Sequence, residues 1–314
     1  MATNLKVTEL DFDQIKTNLK NFLKTQSEFN DYDFDGSGMS VLLDVLAYNT
    51  HYNAMNAHFS LNEAFLDSAQ IRGNVVTRAK LLGYIPRSIL SARASVTLVV
   101  NVAGESGTIP TTLTLSRGTK LNTLVDGEEF QFVVLDNHTA TISNNTFTFS
   151  DIAIAEGTFK TLKYRVDNDI ENQKFQISDK DGDTSTLRVR VQDNEESTAF
   201  DIYTQFESLK NVNSETKVYY LQENSNEFFE IYFGDGVTGF KPINNNIVTL
   251  DYIFTNGKDA NNASTFTMVD NIGGFTNVAV TTVTAAAGGV DPETTESIRF
   301  NAPWTFTSQN RAVK

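Results

Sequence analysis

The run Tyr32-Asp33-Phe34-Asp35-Gly36-Ser37-Gly38-Met39, carried on through two amphipathic segments to Leu81-Leu82-Gly83-Tyr84-Ile85-Pro86-Arg87, is the most strongly patterned part of the sequence. After Gly38, the residues Val41, Val45, Tyr48, Tyr52, Met55 and Phe59 recur at steps of four and three, which places them on one stripe of an α-helix. Leu42, Leu43 and Leu46 widen the stripe at its start, and the opposite face carries the small polar residues Asn49, Thr50, Asn53 and Asn56. Asp35-Gly36-Ser37-Gly38 ahead of this helix reads as a turn and N-cap rather than as half of a carboxylate pair with Asp33. The spacing predicts a helix from about Gly38 to Leu61, roughly 35 Å long at 1.5 Å per residue.

A second helix follows. Asp67 with Gln70 fits a capping box, Gly83 and Pro86 supply a stop, and Ile71, Val75, Ala79 and Leu82 form the stripe between them. The result is a helical hairpin, read either as a cap on the following domain or as a hairpin that bundles with helices of other chains. Bundling accounts better for apolar residues on more than one side of the first half. Upstream, Asp11 and Gln14 with Phe12, Ile15, Leu19, Phe22 and Leu23 predict one more helix, which Asn30 and Asp31 break.

From Ala94 onward the period changes from 3.6 to 2, as Val96, Leu98, Val100 and Val102 alternate with smaller or polar neighbours. Asp126-Gly127, Asn144-Asn145, Asp181-Gly182 and Asn224 to Asn226 each separate two strand-like runs and predict hairpins. The fold class is therefore α+β, an N-terminal helical region followed by antiparallel β modules. Polar stretches at Asp167–Asn172 and Asp193–Thr198 suggest boundaries, giving a helical assembly region over 1–90, β modules over 91–170 and 171–285, and the start of a truncated domain over 286–314. Within Ala285–Gly289 the small residues Ala285, Gly288 and Gly289 read as a hinge, and Asp291-Pro292-Glu293 as the start of a helix that stops before Pro303. Ser308 then opens what reads as another helix, cut short at Lys314.

Composition narrows the function classes. The 314 residues contain no cysteine, so neither disulfides nor zinc–thiolate sites are available. A net charge of −14 argues against a nonspecific nucleic-acid surface, and no apolar run is long enough for membrane insertion. His51 and His58 are two helical turns apart, too far to share a metal. Ser178 to Asp183 is similar to a calcium loop, yet Thr184 and Arg190 stand where an EF-hand counted from Asp179 needs Gly and Glu, and the run reads as a hairpin tip. Gly234-Asp235-Gly236 and Gly239 lack the Lys-Ser/Thr of a P-loop and read as a structural turn. No catalytic constellation and no cofactor motif emerges, so the chain reads as a non-enzyme.

Glu230 to Gly236, continued by Gly239 and by Tyr252 to Gly257 with Asn261, resembles the baseplate wedge and baseplate J family of contractile-tailed phages. Phe34 to Ala69, Thr108 to Phe132, and Gly288 to Thr294 with Ile298, Arg299, Ala302, Pro303 and Gln309 to Val313 are similar to further segments of that family, in the same order. The resemblance implies a structural subunit in the virion tail baseplate, synthesised and assembled in the host cytoplasm. It further implies pairing with a second copy, helix bundling with other wedge proteins and with sheath-initiating or hub-proximal tail proteins, and transmission of the change that triggers sheath contraction. On that basis Val41, Val45, Tyr48, Tyr52, Met55, Phe59, Ile71, Val75 and Leu82 form the expected interface. The alternative is a fibre-associated adhesin or glycan-binding β protein. A calcium-dependent module would instead need Asp179, Asp181 and Asp183 as ligands.

Overall fold

The structure, a computed structural model, describes residues 11–26, 37–105, 107–207 and 212–308. Two compact units are separated between Arg78 and Ala79. In the first, α1 spans Phe12–Lys24 behind the N-cap Asp11, whose carboxylate accepts from the Asp13 N–H at 2.9 Å. Helix α2 spans Gly38–Asn62 and starts on Ser37, whose hydroxyl oxygen accepts from the Ser40 N–H at 3.0 Å. The predicted N-cap thus belongs to Ser37, while Asp33 and Asp35 lie outside the described residues. Helices α1 and α2 pack together, and a Lys16–Asp44 ion pair of 2.6 Å joins them.

Helix α3 spans Arg72–Leu81, which corrects the predicted start at Asp67. Its cap comes from further back. The buried Glu63 carboxylate at the end of α2 accepts from the Gln70 N–H at 2.8 Å, from the Ile71 N–H at 3.3 Å and from Asn74 Nδ2 at 2.8 Å. A negative charge there satisfies the open amides and opposes the positive end of the helix dipole. The C-terminus ends as predicted. Gly83 has φ +77°, its N–H donates to the Lys80 carbonyl, and the Tyr84 N–H donates to the Ala79 carbonyl, the pairing of a Schellman cap.

The strands run in order β1 Arg93–Asn101, β2 Thr112–Leu115, β3 Lys120–Val125, β4 Glu128–Val134, β5 His138–Thr141, β6 Thr146–Glu156, β7 Thr158–Arg165, β8 Phe175–Gln176, β9 Gly182–Gln192, β10 Asp201–Gln205, β11 Val218–Glu223, β12 Phe229–Phe233, β13 Ile247–Phe254, β14 Thr267–Met268 and β15 Val278–Ala287. A six-stranded sheet has the order β14-β3-β4-β6-β1-β15, and a seven-stranded sheet the order β7-β13-β9-β10-β11-β12-β8. The pair β2–β5 packs Leu113, Leu115 and Ala140 into the core of the first sheet, beside Val96, Leu98 and Val100 of β1. All pairings are antiparallel except β10 with β11.

Sheet membership does not follow the module limits expected at 170 and 285. The chain leaves the first sheet at Gly157 and returns to it through β14 and β15. Gly157, at φ +120°, passes so close to β13 that a Cβ there would lie 2.2 Å from the Phe254 carbonyl oxygen. The change of sheet at Gly157 is a tight backbone crossing rather than a long polar loop.

The β3–β4 and β11–β12 hairpins form as predicted, the first through Asp126 and Gly127 at φ +51° and +90°. Asn144 and Asn145 also make a tight turn, closed by a Ser143–Thr146 bridge, but β5 then pairs with β2 instead of β6. Asp181-Gly182 is not a hairpin tip: β8 pairs with β12 while β9 pairs with β10 and β13. Helix α4 spans Thr295–Ser308 with Pro303 inside it, a correction to the predicted helix from Pro292 to Asn301. Thr294 caps it, accepting from Ser297 N–H at 3.3 Å, and the helix continues because a proline removes one backbone donor without forbidding the next turn. Residues beyond 308 lie outside the described ones.

Candidate protein-protein interface

Helix α2 buries only a narrow strip of itself: Ser40, Leu43 and Ala47, at steps of three and four. Beyond Ala47 the same line continues through His51, Ala54 and His58, which are half-buried. The predicted stripe faces elsewhere. Val41, Val45, Tyr48, Tyr52, Met55 and Phe59 are between 47 and 59% exposed. Leu42, Leu46, Leu61 and Phe65 are exposed as well, whereas Leu43 is buried. Tyr48 and Tyr52 stand with ring centroids 5.0 Å apart, and the hydrogen bond between their hydroxyls holds the Tyr48 pKa above its ordinary value. An exposed apolar band of this length on one helix is larger than scattered surface residues account for.

The rest of the expected interface divides. Ile71 is exposed, Leu82 is half-buried, and Val75 is fully buried, so Val75 offers no surface to a partner. Position within an i, i+4 series identifies a face but not which side of the helix the protein itself covers. A second exposed apolar group, missed by sequence reasoning, lies on α4: Phe300 and Trp304 are 68% and 64% exposed, with centroids 6.4 Å apart. Their i, i+4 spacing was the available signal, hidden by the expectation that the helix stops before Pro303.

The expected hinge carries hydrogen bonds along its length. Ala285 lies inside β15, and neighbouring Ala286 donates to the Ala263 carbonyl at 2.8 Å. Gly289 is clamped by one side chain: its N–H donates to Asn261 Oδ1 at 2.9 Å and its carbonyl accepts from Asn261 Nδ2 at 2.8 Å. A Cβ at Gly289 would meet the Gly257 carbonyl oxygen at 2.2 Å, while Gly288, at φ +82°, faces open space. Small residues here permit close packing, and the joint is held rather than loose.

Gly234-Asp235-Gly236 forms the expected turn. The Asp235 carboxylate accepts from the N–H groups of Val237 and Thr238, each at 2.9 Å, and these bonds lower its pKa. Gly236 and Gly239 take φ values of +90° and +106°, and a Cβ on Gly234 would strike the Gly239 carbonyl. In the acidic run from Asp179 to Asp183, the carboxylates of Asp179 and Asp183 are occupied by protein groups. Asp179 pairs with Lys160 at 2.7 Å and accepts from Tyr252, while Asp183, with no exposed surface, accepts from the N–H and hydroxyl of both Ser91 and Ser185. Among the described residues no group of three or more metal-ligating side chains could hold an ion, and no helix is long and apolar enough to cross a membrane.

With this geometry in place, two family models match the chain. Residues 11–84 match the baseplate wedge protein gp6-like helical domain, and residues 161–266 match the third domain of bacteriophage baseplate wedge protein gp6. The chain is also 30% identical to the baseplate wedge protein gp6 of Enterobacteria phage T4 over 330 aligned positions, covering 96% of this chain and 48% of that protein. The chain belongs to the gp6-like baseplate wedge family. It spans about half the length of the curated wedge protein it matches. The wedge helical-domain match takes in all three N-terminal helices, and the third-domain match takes in β8 to β13 with most of β7. A cryo-EM structure of the anti-feeding prophage baseplate aligns with 95% of this wedge chain and 53% of its own, at 12% identity and a TM-score of 0.31, a likeness too weak to carry an argument.

Proposed function

We propose that this chain is a structural, non-catalytic subunit of a bacteriophage tail baseplate wedge, located in the virion tail, and that the outer stripe of α2 is one of its assembly contacts. The observation that carries this reading is the row from Val41 to Phe59, exposed along a helix whose own packing face is the narrow line through Leu43 and Ala47. Burying six such side chains against a second helix would contribute roughly 1.5 kcal/mol or more for each one fully covered. That gain is of the same order as the entropic cost of ordering two partners. The occupant we favour is the equivalent stripe of a second copy, because an isologous contact lets one apolar face cover itself. Other baseplate wedge proteins and sheath-initiating or hub-proximal tail proteins would join around that pair. The clamp of Asn261 on Gly289 favours a unit that passes on the contraction-triggering change as a rigid piece, with motion arising elsewhere than at this joint.

Light-scattering mass on the full chain tests this. The expected result is a dimer in the native sequence and a monomer of unchanged helicity in the double variant Tyr48→Asp, Tyr52→Asp. A monomer in both, with no complex formed on addition of purified wedge proteins, removes the assembly role from α2 and moves the adhesin reading forward.

A further inference from the structure

In a chain with 25 basic and 39 acidic residues, three arginines line a single cavity of about 590 Å³. Arg117 follows β2, Arg188 and Arg190 lie on β9, and Phe200 and Ile202 stand at the rim, each well exposed. Two of the three are matched by carboxylates. Arg188 pairs with Asp136, and Arg190 Nη2 lies 2.6 Å from an Asp251 oxygen. Asp251 is committed further, accepting from Thr161 Oγ1 at 2.6 Å.

Among the described residues Arg117 has no carboxylate of its own. Its backbone N–H is fixed by Asn137 Oδ1 at 2.7 Å, and its guanidinium lies 3.8 Å over the Phe159 ring. Its Nε is buried with no acceptor among the described residues, as is the Nε of Arg190. Buried donors without partners are rare in native proteins, and both of these belong to side chains that line the cavity. Burial first, and then repulsion from Arg188, pull the Arg117 pKa below the usual arginine range. Tyr203 in the wall is pushed up to about 12 by burial, so it stays neutral and the arginines set the charge.

We propose that this cavity receives one oxyanion group, a carboxylate or a phosphate, bound by the Arg117 guanidinium with Arg188 and Arg190 beside it. A guanidinium fork suits the planar pair of oxygens that both anions present. The exposed Phe200 and Ile202 would take the apolar part of the molecule or side chain that carries the anion. The site is built by the β unit alone and does not depend on the helical stripe.

The test is calorimetric titration of the full chain at low ionic strength with inorganic phosphate and, separately, acetate. One saturable site per chain is expected, weakened at least about tenfold by Arg117→Gln, as loss of a charge-assisted bond implies. Arg117→Lys should recover only part of the affinity, because it keeps the charge and loses the fork. Arg165→Gln, which removes an exposed arginine paired with Glu195, should change nothing. Tighter phosphate binding assigns the site to a phosphate, and tighter acetate binding to a carboxylate side chain. Should Arg117→Gln unfold by circular dichroism, Arg188→Gln decides in its place. Absence of saturable binding, or equal affinity in native and variant chains, overturns the proposal.

Discussion

The helical unit and the β unit solve opposite problems. In the first, α2 leaves nine large apolar side chains exposed, six of them on the predicted stripe, and buries only Ser40, Leu43 and Ala47. In the second, charged groups are inside: Glu156, Asp183, Asp251 and Glu293 are all buried, and each is surrounded by donors. Glu156 accepts from Thr255 and from both the N–H and the side chain of Asn256, so it ties the end of β6 to the turn after β13. Glu293 accepts from Tyr84 at 2.7 Å, the Arg87 N–H at 3.0 Å, Ser297 at 2.6 Å and Asn301 at 3.0 Å, so it ties the segment after α3 to the start of α4. A buried carboxylate is tolerated only with several donors, which makes it a fastener for irregular backbone. The contrast is that the sheets fasten irregular backbone with buried carboxylates, while α2 holds a long apolar stripe at its surface.

The largest expected effect sharpens the β side. Asp183→Ala strands the N–H and hydroxyl donors of buried Ser91 and removes the acceptor of both Ser185 donors, and should cost about 4 kcal/mol by denaturant titration. A cost below about 1 kcal/mol would mean the fastener is ornamental. Next, Leu43→Ala should cost roughly 2–3 kcal/mol in the helical unit, whereas Val45→Ala, two residues on, should stay within about 0.5 kcal/mol. Equal costs would break the contrast between the two faces of α2.

The expected hinge offers a third comparison. Gly289→Ala should destabilise by roughly 2 kcal/mol through its clash with Gly257, and Gly288→Ala by about 1 kcal/mol through its positive φ alone. A loose joint would tolerate both. The smallest effect is on acid stability. Burial works to raise the Glu293 pKa, but the bonds from Ser297, Arg87, Tyr84 and Asn301 outweigh it and leave the carboxyl below its ordinary value. A folded-state pKa below the unfolded one gives stability that is present above about pH 4.3 and is lost as pH falls through the folded value. Thermal melts in that acidic window should therefore show a shallower pH slope in Glu293→Gln than in the native chain.

The reading of residue patterns reached far in the regular elements. The caps at Asp11 and Ser37, the Gly83 stop, the alternation from Val96 to Val102 and the Asp126-Gly127 hairpin are local, since each depends on residues within a turn or two of one another. The wedge resemblance was legible for the same reason, because it rests on turn glycines such as Gly239, at a positive φ, and Gly234, where a Cβ would strike the Gly239 carbonyl. The candidate interface was half legible: periodicity placed Val41 to Phe59 on one line, yet Val75 on a similar line is buried.

What the sequence by itself determined is the set of elements, their caps and the tight turns, because hydrogen bonds and φ preferences over a few residues are enough to fix them. The tertiary structure alone decided which strand pairs with which, sending β5 to β2 and returning β15 beside β1. It also moved the cap of α3 from Asp67 to Glu63, turned Ala285–Gly289 into a clamped crossing, and gathered Arg117 with Arg188 and Arg190. Each of these joins residues whose separation in the chain carries no periodic signal, so only packing brings their chemistry together.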